Sequence, residues 1–295
     1  MGIPMNYQCV RCLVNKHLDT AKDLGAPQQV DGFCKELLPV IQAAVGKHNS
    51  SWVAPYADAL YSKYFGTSQD RFIEEKKQSN AFVLSRMERI QAKILQADDP
   101  VYSALQYAVL GNYLDFSALH GQVSFEKLDG MLDTAASINL DKGVYEEFLQ
   151  ELKQGQRLLY VTDNAGEIVF DLLLARQLRG AFPHLQITFC VRGGPVHNDA
   201  TREDAREIGV DFPIVDTGNT VGGVELEQLS PEAKAEMDRS DVILTKGMGN
   251  VETLLGCGYN IYYAFLIKCA LFESYFRQPM LTPMLVRERS LPKSP

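Results

Sequence analysis

Residues 157–167 read Arg-Leu-Leu-Tyr-Val-Thr-Asp-Asn-Ala-Gly-Glu, and they decide the fold that the sequence predicts. The apolar run 158–161 is typical of a buried strand in a parallel sheet. A glycine then allows a tight turn, and residues 168–178 follow the pattern of an amphipathic helix. Asp163 and Asn164 are therefore expected at the carboxyl end of a strand and before a helix, where open α/β sheets bind ligands.

The second half of the chain repeats this alternation of strand and helix. The predicted strands cover residues 158–161, 185–191, 212–215 and 242–245, and the predicted helices cover residues 168–178, 199–208, 231–238 and 250–256. This rhythm indicates an α/β fold with a Rossmann-like α/β/α parallel sheet. Residues 12–150 show helical spacing of apolar side chains instead. We therefore expect a helical domain over residues 1–150, packed on an α/β metal-binding domain over residues 151–295.

The composition of the chain limits the classes of function. There are 37 acidic against 29 basic residues, a formal net charge of −8, which disfavours nucleic acid as a partner because phosphate backbones need a basic surface. No apolar segment reaches transmembrane length, and the first residues lack the apolar region of a signal peptide. Six scattered cysteines favour a reducing compartment. We expect a cytoplasmic protein without membrane association.

Polar motifs follow three of the predicted strands, at residues 163–167, 192–201 and 246–253. Because parallel strands place their carboxyl ends on one edge of a sheet, these three loops can converge on one crevice. An aspartate before a helix often only caps that helix. Polar residues at three strand ends favour a functional site over that simpler interpretation.

The residues in these motifs suit phosphoryl transfer. Asp163, Asn164 and Asp199 offer hard oxygen ligands for Mg²⁺ or Mn²⁺, and such ligands also accept Co²⁺ or Ni²⁺. Lys246 adds a positive charge, and a metal with a lysine can neutralise the oxygens of a phosphoryl group. The sequence contains neither a Rossmann dinucleotide fingerprint nor a Walker A loop. The motifs therefore predict phosphoryl-transfer chemistry assisted by a divalent metal.

Three strings in fixed order carry a family resemblance: DNAGEIVFD at 163–171, RGGPVHNDAT at 192–201 and KGMGNVETL at 246–254. With GNYLDF at 111–116 and an early Cys-x-x-Cys pair, they make the chain resemble the metal-dependent damage-control phosphatases, most of all the prokaryotic-type branch that bears this cysteine pair. The resemblance covers nearly the whole chain. It implies a helical part on a Rossmann-like sheet, a divalent metal, and hydrolysis of a sugar phosphate or a phosphopantetheine-like compound.

The resemblance also implies roles for individual positions. The catalytic positions correspond to Asp163, Asp199 and Lys246; the metal ligands to Asp163, Asn164 and Asp199; and the substrate-binding positions to Lys246, Asn198, Asn250 and Glu167. Residues 278–295 look irregular in sequence, in contrast to the last strand expected of the family.

Several alternatives stay open at this level. A carboxyl methyltransferase using S-adenosylmethionine is a second enzyme function, although the first strand turn lacks a glycine-rich loop. A metal- or metabolite-binding protein without turnover is a third possibility. Cys9 and Cys12 are either half of a metal or redox site or two reduced thiols on a helix. Asn112 and Asp115 either follow a helix cap or project towards the crevice.

Overall fold

The first half of the molecule is helical, as predicted. The computed structural model describes residues 2–67, 70–116 and 123–292. Its helices before the sheet are α1 Tyr7–Leu24, α2 Pro27–Ala44, α3 Ala54–Phe65, α4 Ile73–Leu84, α5 Met87–Gln96, α6 Pro100–Gly111, α7 Phe125–Asp133 and α8 Lys142–Gln154. None of the helices in these described ranges combines the length and the apolar character needed to cross a membrane.

The second half forms a sheet whose strands lie in the order β3-β2-β1-β4-β5-β6. Its elements are β1 Arg157–Val161, α9 Glu167–Ala181, β2 Gln186–Val191, α10 Arg202–Glu207, β3 Ile214–Asp216, α11 Pro231–Arg239, β4 Val242–Lys246, α12 Met248–Leu254, β5 Ile261–Leu266, α13 Ala270–Phe276 and β6 Pro283–Arg287. Strands β1 to β5 are parallel, whereas β6 pairs antiparallel with β5. The predicted α/β class is confirmed.

The expectation that residues 278–295 are irregular is wrong for Pro283–Arg287, which forms the edge strand β6. Leu285 is the buried residue of this strand, and its neighbours on both sides are half-buried. Such a strand lacks the alternation of apolar and polar residues that marks a strand in sequence. Its proline stands at the first position, which an edge strand tolerates.

Two hydrophobic clusters cover the two faces of the sheet. In β1, Leu158 and Tyr160 belong to the cluster that includes α4 to α10, whereas Leu159 and Val161 belong to the cluster with α11 to α13. This alternation follows from the two-residue period of a strand, and it produces the α/β/α layers. A third cluster joins α1, α2 and α3.

The helical half and the sheet share a hydrophobic core. The cluster on the α9 face contains Leu110 from α6 together with Phe170 from α9, and α8 itself extends across position 150. The division of the chain into two domains at residue 150 stays a prediction.

The first residues of the chain position α1 over the carboxyl edge of the sheet. The N–H of Gly2 donates to the carbonyl oxygen of Leu255, and that of Ile3 donates to the carbonyl oxygen of Glu252, both at 2.7 Å. The Ile3 side chain is buried in the cluster with α11 to α13. Helix α1 therefore begins next to α12, close to the loops that follow the strands.

Candidate active site

The three polar motifs meet at one edge of the sheet. Strand β1 lies between β2 and β4, and the strand order changes direction at this point, which is the usual ligand position in an open α/β sheet. The N–H of Ala200 donates to the carbonyl oxygen of Asp163 at 2.7 Å, and that of Ala165 donates to Asn198 at 2.8 Å. The loops after β1 and β2 are thus fixed to each other.

A cavity of about 720 Å³ opens at this edge. Asp163, Asp199 and Lys268 line it from the ends of the strands, and Cys9 and Cys12 line it from α1. Among the residues predicted for the site, Asp163 and Asp199 line the cavity. The other predicted residues lie behind these two carboxylates.

Asp163, Asn164 and Asp199 are brought together by the backbone. Asn164 and Asp199 form an isolated antiparallel bridge. The Asn164 amide nitrogen donates to Asp163 Oδ2 at 2.7 Å and to Glu167 Oε2 at 2.8 Å. Arg192 Nε donates to Asp199 Oδ2 at 2.6 Å. These bonds orient the three predicted metal ligands and leave the amide oxygen of Asn164 as an acceptor.

The two aspartates are buried close to other negative charges. Burial raises the pKa of Asp163 well above its usual range, and Asp199 and Glu167 raise it further. Burial also raises the pKa of Asp199, against the opposing effect of Arg192. A cation bound between the aspartates would relieve this repulsion and favour their ionised forms.

Lys246 does not line the cavity. Its side chain is fully buried, and Nζ donates to Glu167 Oε1 at 2.7 Å, to Asp171 Oδ1 at 3.0 Å and to the carbonyl oxygen of Ala108 at 2.6 Å. Burial lowers the pKa of Lys246, but Asp171 and Glu167 more than offset this effect and the net pKa is raised. An ammonium has three donors, and all three are used. The predicted phosphate contact by Lys246 stays a prediction, and its position favours a role in holding Glu167.

The remaining predicted substrate contacts are also buried behind the cavity. Asn250 Oδ1 accepts a hydrogen bond from Arg192 at 3.1 Å. Asn198 donates at 2.7 Å to a backbone oxygen of the segment that follows α6. Glu167 accepts from Asn164 and Lys246. All three stabilise the loops in this structure, and their contact with substrate stays a prediction.

Asn112 and Asp115 project from the helical half towards the site, which was one of the two alternatives open in the sequence. Asn112 is fully buried at the end of α6, and its amide nitrogen donates to Asp163 Oδ2 and to Glu167 Oε2, both at 3.0 Å. Its Oδ1 accepts from the N–H of Leu266 at 3.0 Å. Asp115 lines the cavity. The helical half therefore contributes directly to the position of Asp163.

Lys268 is a site residue that the motif analysis missed. It is 3% exposed, lines the cavity, and lowers the pKa of Asp163. Its Nζ donates to Asp115 Oδ2 at 2.6 Å and to the carbonyl oxygen of Asn112 at 2.8 Å. The sequence did contain a signal for Lys268, because it is a charged residue that follows the apolar run of β5. Asp163 and Arg192 follow β1 and β2 in the same way.

The cysteine pair lies in the wall of the cavity. Cys9 and Cys12 lie on α1 and are not joined by a disulfide, and burial raises the pKa of both thiols. They are therefore protonated near neutral pH, which agrees with the interpretation as reduced thiols on a helix.

A family model described as the damage-control phosphatase ARMT1-like domain matches residues 5–278. The chain belongs to this family. It is 28% identical over 297 residues to the damage-control phosphatase PH1575 of Pyrococcus horikoshii, covering 98% of this chain and 95% of that protein. It is 31% identical over 189 residues to a damage-control phosphatase of Archaeoglobus fulgidus, covering 63% of this chain and 64% of that protein. The resemblance predicted from the motifs is confirmed.

The fold comparison agrees with the family. The crystal structure of the DUF89 family protein PH1575 from Pyrococcus horikoshii matches this fold with a TM-score of 0.84 at 25% identity, covering 97% of this chain and 99% of that one. This chain is also 28% identical to MJ0202, an uncharacterized protein of Methanocaldococcus jannaschii, and the match covers 91% of this chain and 90% of that protein.

The donor set of this damage-control phosphatase family member fits a hard divalent cation. Asp163, Asp199 and the amide oxygen of Asn164 are oxygen donors, which Mg²⁺ and Mn²⁺ prefer over sulfur and nitrogen. In the part of the chain that the structure describes, no three His, Cys, Asp or Glu side chains are arranged to hold a metal. The fit therefore depends on two carboxylates and one amide.

Proposed function

We propose that this protein is a divalent-metal-dependent phosphatase that hydrolyses a small phosphorylated metabolite, such as a sugar phosphate or a phosphopantetheine-like compound. The observation that carries the proposal is the pair of buried carboxylates, Asp163 and Asp199, that lines the cavity at the carboxyl edge of the sheet. The family supports phosphatase chemistry in metabolite damage control. The cysteines, all of which lie in described residues, form no disulfide bond, which suits a cytoplasmic location.

Each residue has a defined task in this proposal. Asp163, Asn164 and Asp199 would hold Mg²⁺, Mn²⁺, Co²⁺ or Ni²⁺, and a bound divalent ion supplies a Lewis acid for the phosphoryl group. Lys268 makes two hydrogen bonds and has three donors, so one N–H can donate to a phosphoryl oxygen. The cavity volume lies within the range of small-molecule sites.

The supporting residues keep these groups in place. Asn112 holds the Asp163 carboxylate, and Glu167 accepts from the Asn164 amide, which keeps the amide oxygen available. Arg192 binds one oxygen of Asp199 and leaves the other for a cation. Such outer hydrogen bonds fix the geometry that metal sites require.

The test is hydrolysis of para-nitrophenyl phosphate by metal-stripped protein titrated separately with each of the four ions. We expect metal-dependent turnover that falls about 100-fold or more in Asp163→Asn and Asp199→Asn. The exposed Asp19, on the far part of α1, provides the matched control Asp19→Asn, which should keep wild-type turnover.

Two outcomes would contradict the proposal. Wild-type turnover in both site variants would remove the metal assignment. Metal-dependent thermal stabilisation without turnover of this ester or of sugar phosphates would favour a binding protein, because a ligand raises stability whether or not it reacts.

A further inference from the structure

Glu252 is a buried carboxyl group in the cavity wall, and no described Lys, Arg or His side chain pairs with it. It lies on α12 and is 8% exposed. Ser50 Oγ donates to its Oε2 at 2.6 Å. Within residues 2–67, 70–116 and 123–292, Ser50 is the hydrogen-bond partner of this carboxyl, and no Lys, Arg or His side chain forms an ion pair with it. Burial of a carboxylate without a cation costs free energy that a bound partner can offset.

The neighbours of Glu252 do not supply that charge. Cys9 and Cys12 are close enough for its carboxylate to act on their thiols, and burial keeps both thiols protonated. Lys268, the cation that affects Asp163, is bound to Asp115 instead. Arg11 and Lys16 line the same cavity, and neither of them forms an ion pair with Glu252.

The electrostatic environment of Glu252 differs from that of the proposed metal site. The pKa of Asp163 is raised chiefly by burial and then by Asp199 and Glu167, and it is lowered by Lys268. Burial raises the pKa of Glu252, and hydrogen bonds from Ser50 partly oppose this rise. One cavity thus combines a region suited to a metal and a phosphoryl group with a separate acceptor for the rest of the substrate.

We propose that Glu252 selects substrates by binding a protonated amine on the part of the molecule that is not phosphorylated. The substrate class is then a phosphomonoester that carries an ammonium group, and this inference rests on the proposed phosphatase function. An ammonium complements an unpaired carboxylate better than a hydroxyl does, because a charge-assisted hydrogen bond is shorter and stronger than a neutral one. Glu252 is thus assigned to substrate selectivity and not to the chemical step.

The test measures binding and does not require turnover. 3-Aminopropylphosphonate and butylphosphonate have the same length and are not hydrolysed, and homologues one methylene shorter and longer vary the reach of the amine. Their dissociation constants are measured by calorimetry in the presence of Mg²⁺. In the wild type, we expect the best-fitting amine to bind about tenfold more tightly than its alkyl counterpart.

The variant Glu252→Gln removes the charge and keeps an oxygen that can accept from Ser50. We expect the amine preference to fall to nearly equal binding in this variant. Glu273→Gln is the matched control, because Glu273 lines the same cavity and its Oε1 accepts from the N–H of Met280 at 2.9 Å. This control should keep the preference for the amine.

Four results would overturn the assignment. For the wild type, these are equal binding of the amine and alkyl phosphonates, binding of 3-hydroxypropylphosphonate as tight as that of the amine, and no binding of any phosphonate. For Glu252→Gln, the result is a preference for the amine that persists. Turnover of para-nitrophenyl phosphate is measured separately. Failure of the amine assignment is therefore distinguishable from failure of the phosphatase function.

Discussion

Gly247 leaves the space that the Asp163 carboxylate occupies. Gly247 follows β4 with a φ of +77°, and a Cβ built on it would overlap the carboxylate of Asp163. This glycine is therefore required for two reasons, its backbone conformation and its lack of a side chain. The position of a proposed metal ligand depends on a residue of the neighbouring strand end.

The variant Gly247→Ala should displace Asp163. We expect turnover to fall about 100-fold, since a shift of about 1 Å in a reacting group has effects of this size. Metal-dependent thermal stabilisation should fall as well. Gly256→Ala is the matched control, because Gly256 has a φ of +80° but open space around its Cβ position. It should lose about 1 kcal/mol of stability through backbone strain and keep its turnover.

Asn112 should affect both stability and activity. The variant Asn112→Ala leaves the N–H of Leu266 without a partner and releases Asp163 and Glu167 from a shared donor. We expect the free energy of unfolding to fall by about 2–4 kcal/mol, because unsatisfied buried polar groups are costly. Turnover per folded molecule should fall in parallel. Urea denaturation with an activity assay on the folded fraction measures both, and full turnover in the folded variant would contradict the role of Asn112.

The two lysines at the strand ends should respond differently to substitution. Lys246→Met leaves Glu167 and Asp171 buried without their cation, and we expect a loss of about 3–5 kcal/mol in unfolding free energy. Lys268→Met removes the donor that faces the cavity, and inhibition by inorganic phosphate should weaken about tenfold. If Lys246→Met weakened phosphate inhibition and Lys268→Met did not, the phosphate contact predicted for Lys246 would be correct.

The sequence could predict which loops meet, but not which side chains of those loops face the cavity. Residues after β1, β2 and β4 converge because parallel strands share an edge, and local patterns are sufficient for that conclusion. Lys246 is the last residue of β4 and shares a face with Val242 and Leu244, which belong to the cluster on the α9 side. Its partners Glu167 and Asp171 come from α9, so its burial is a tertiary effect that no local pattern contains.

Asn112 and Lys268 illustrate the same limit. Asn112 ends an apolar helix, where a polar residue usually faces solvent, and its bond to Asp163 spans 51 positions of the chain. Lys268 interrupts an apolar segment, which in sequence indicates only a segment end. The packing of α6 beside β5 brings both residues to the site, and this packing depends on the shared core.

His17 should make the protein less stable in acid. It is buried on α1, its Nδ1 lies 3.0 Å from the hydroxyl of Tyr61, and burial lowers its pKa to about 3, with further lowering by Lys16 and Arg71. The unfolded histidine titrates near pH 6.5, so below that pH the unfolded state binds a proton that the folded state does not bind. The stabilising contribution of neutral His17 is present above pH 6.5 and decreases as the pH falls towards 3.

The expected decrease from His17 alone is about 2–3 kcal/mol between pH 6.5 and 4.5, since each pH unit corresponds to about 1.4 kcal/mol. Urea denaturation across this range, in the wild type and in His17→Gln, isolates the effect because all other titrating groups are common to both proteins. The variant should be less stable at pH 7.5 and show a shallower decline in acid. Parallel profiles for the two proteins would show that His17 has the same pKa in the folded and unfolded states, which would contradict the effect of its burial beside Lys16 and Arg71.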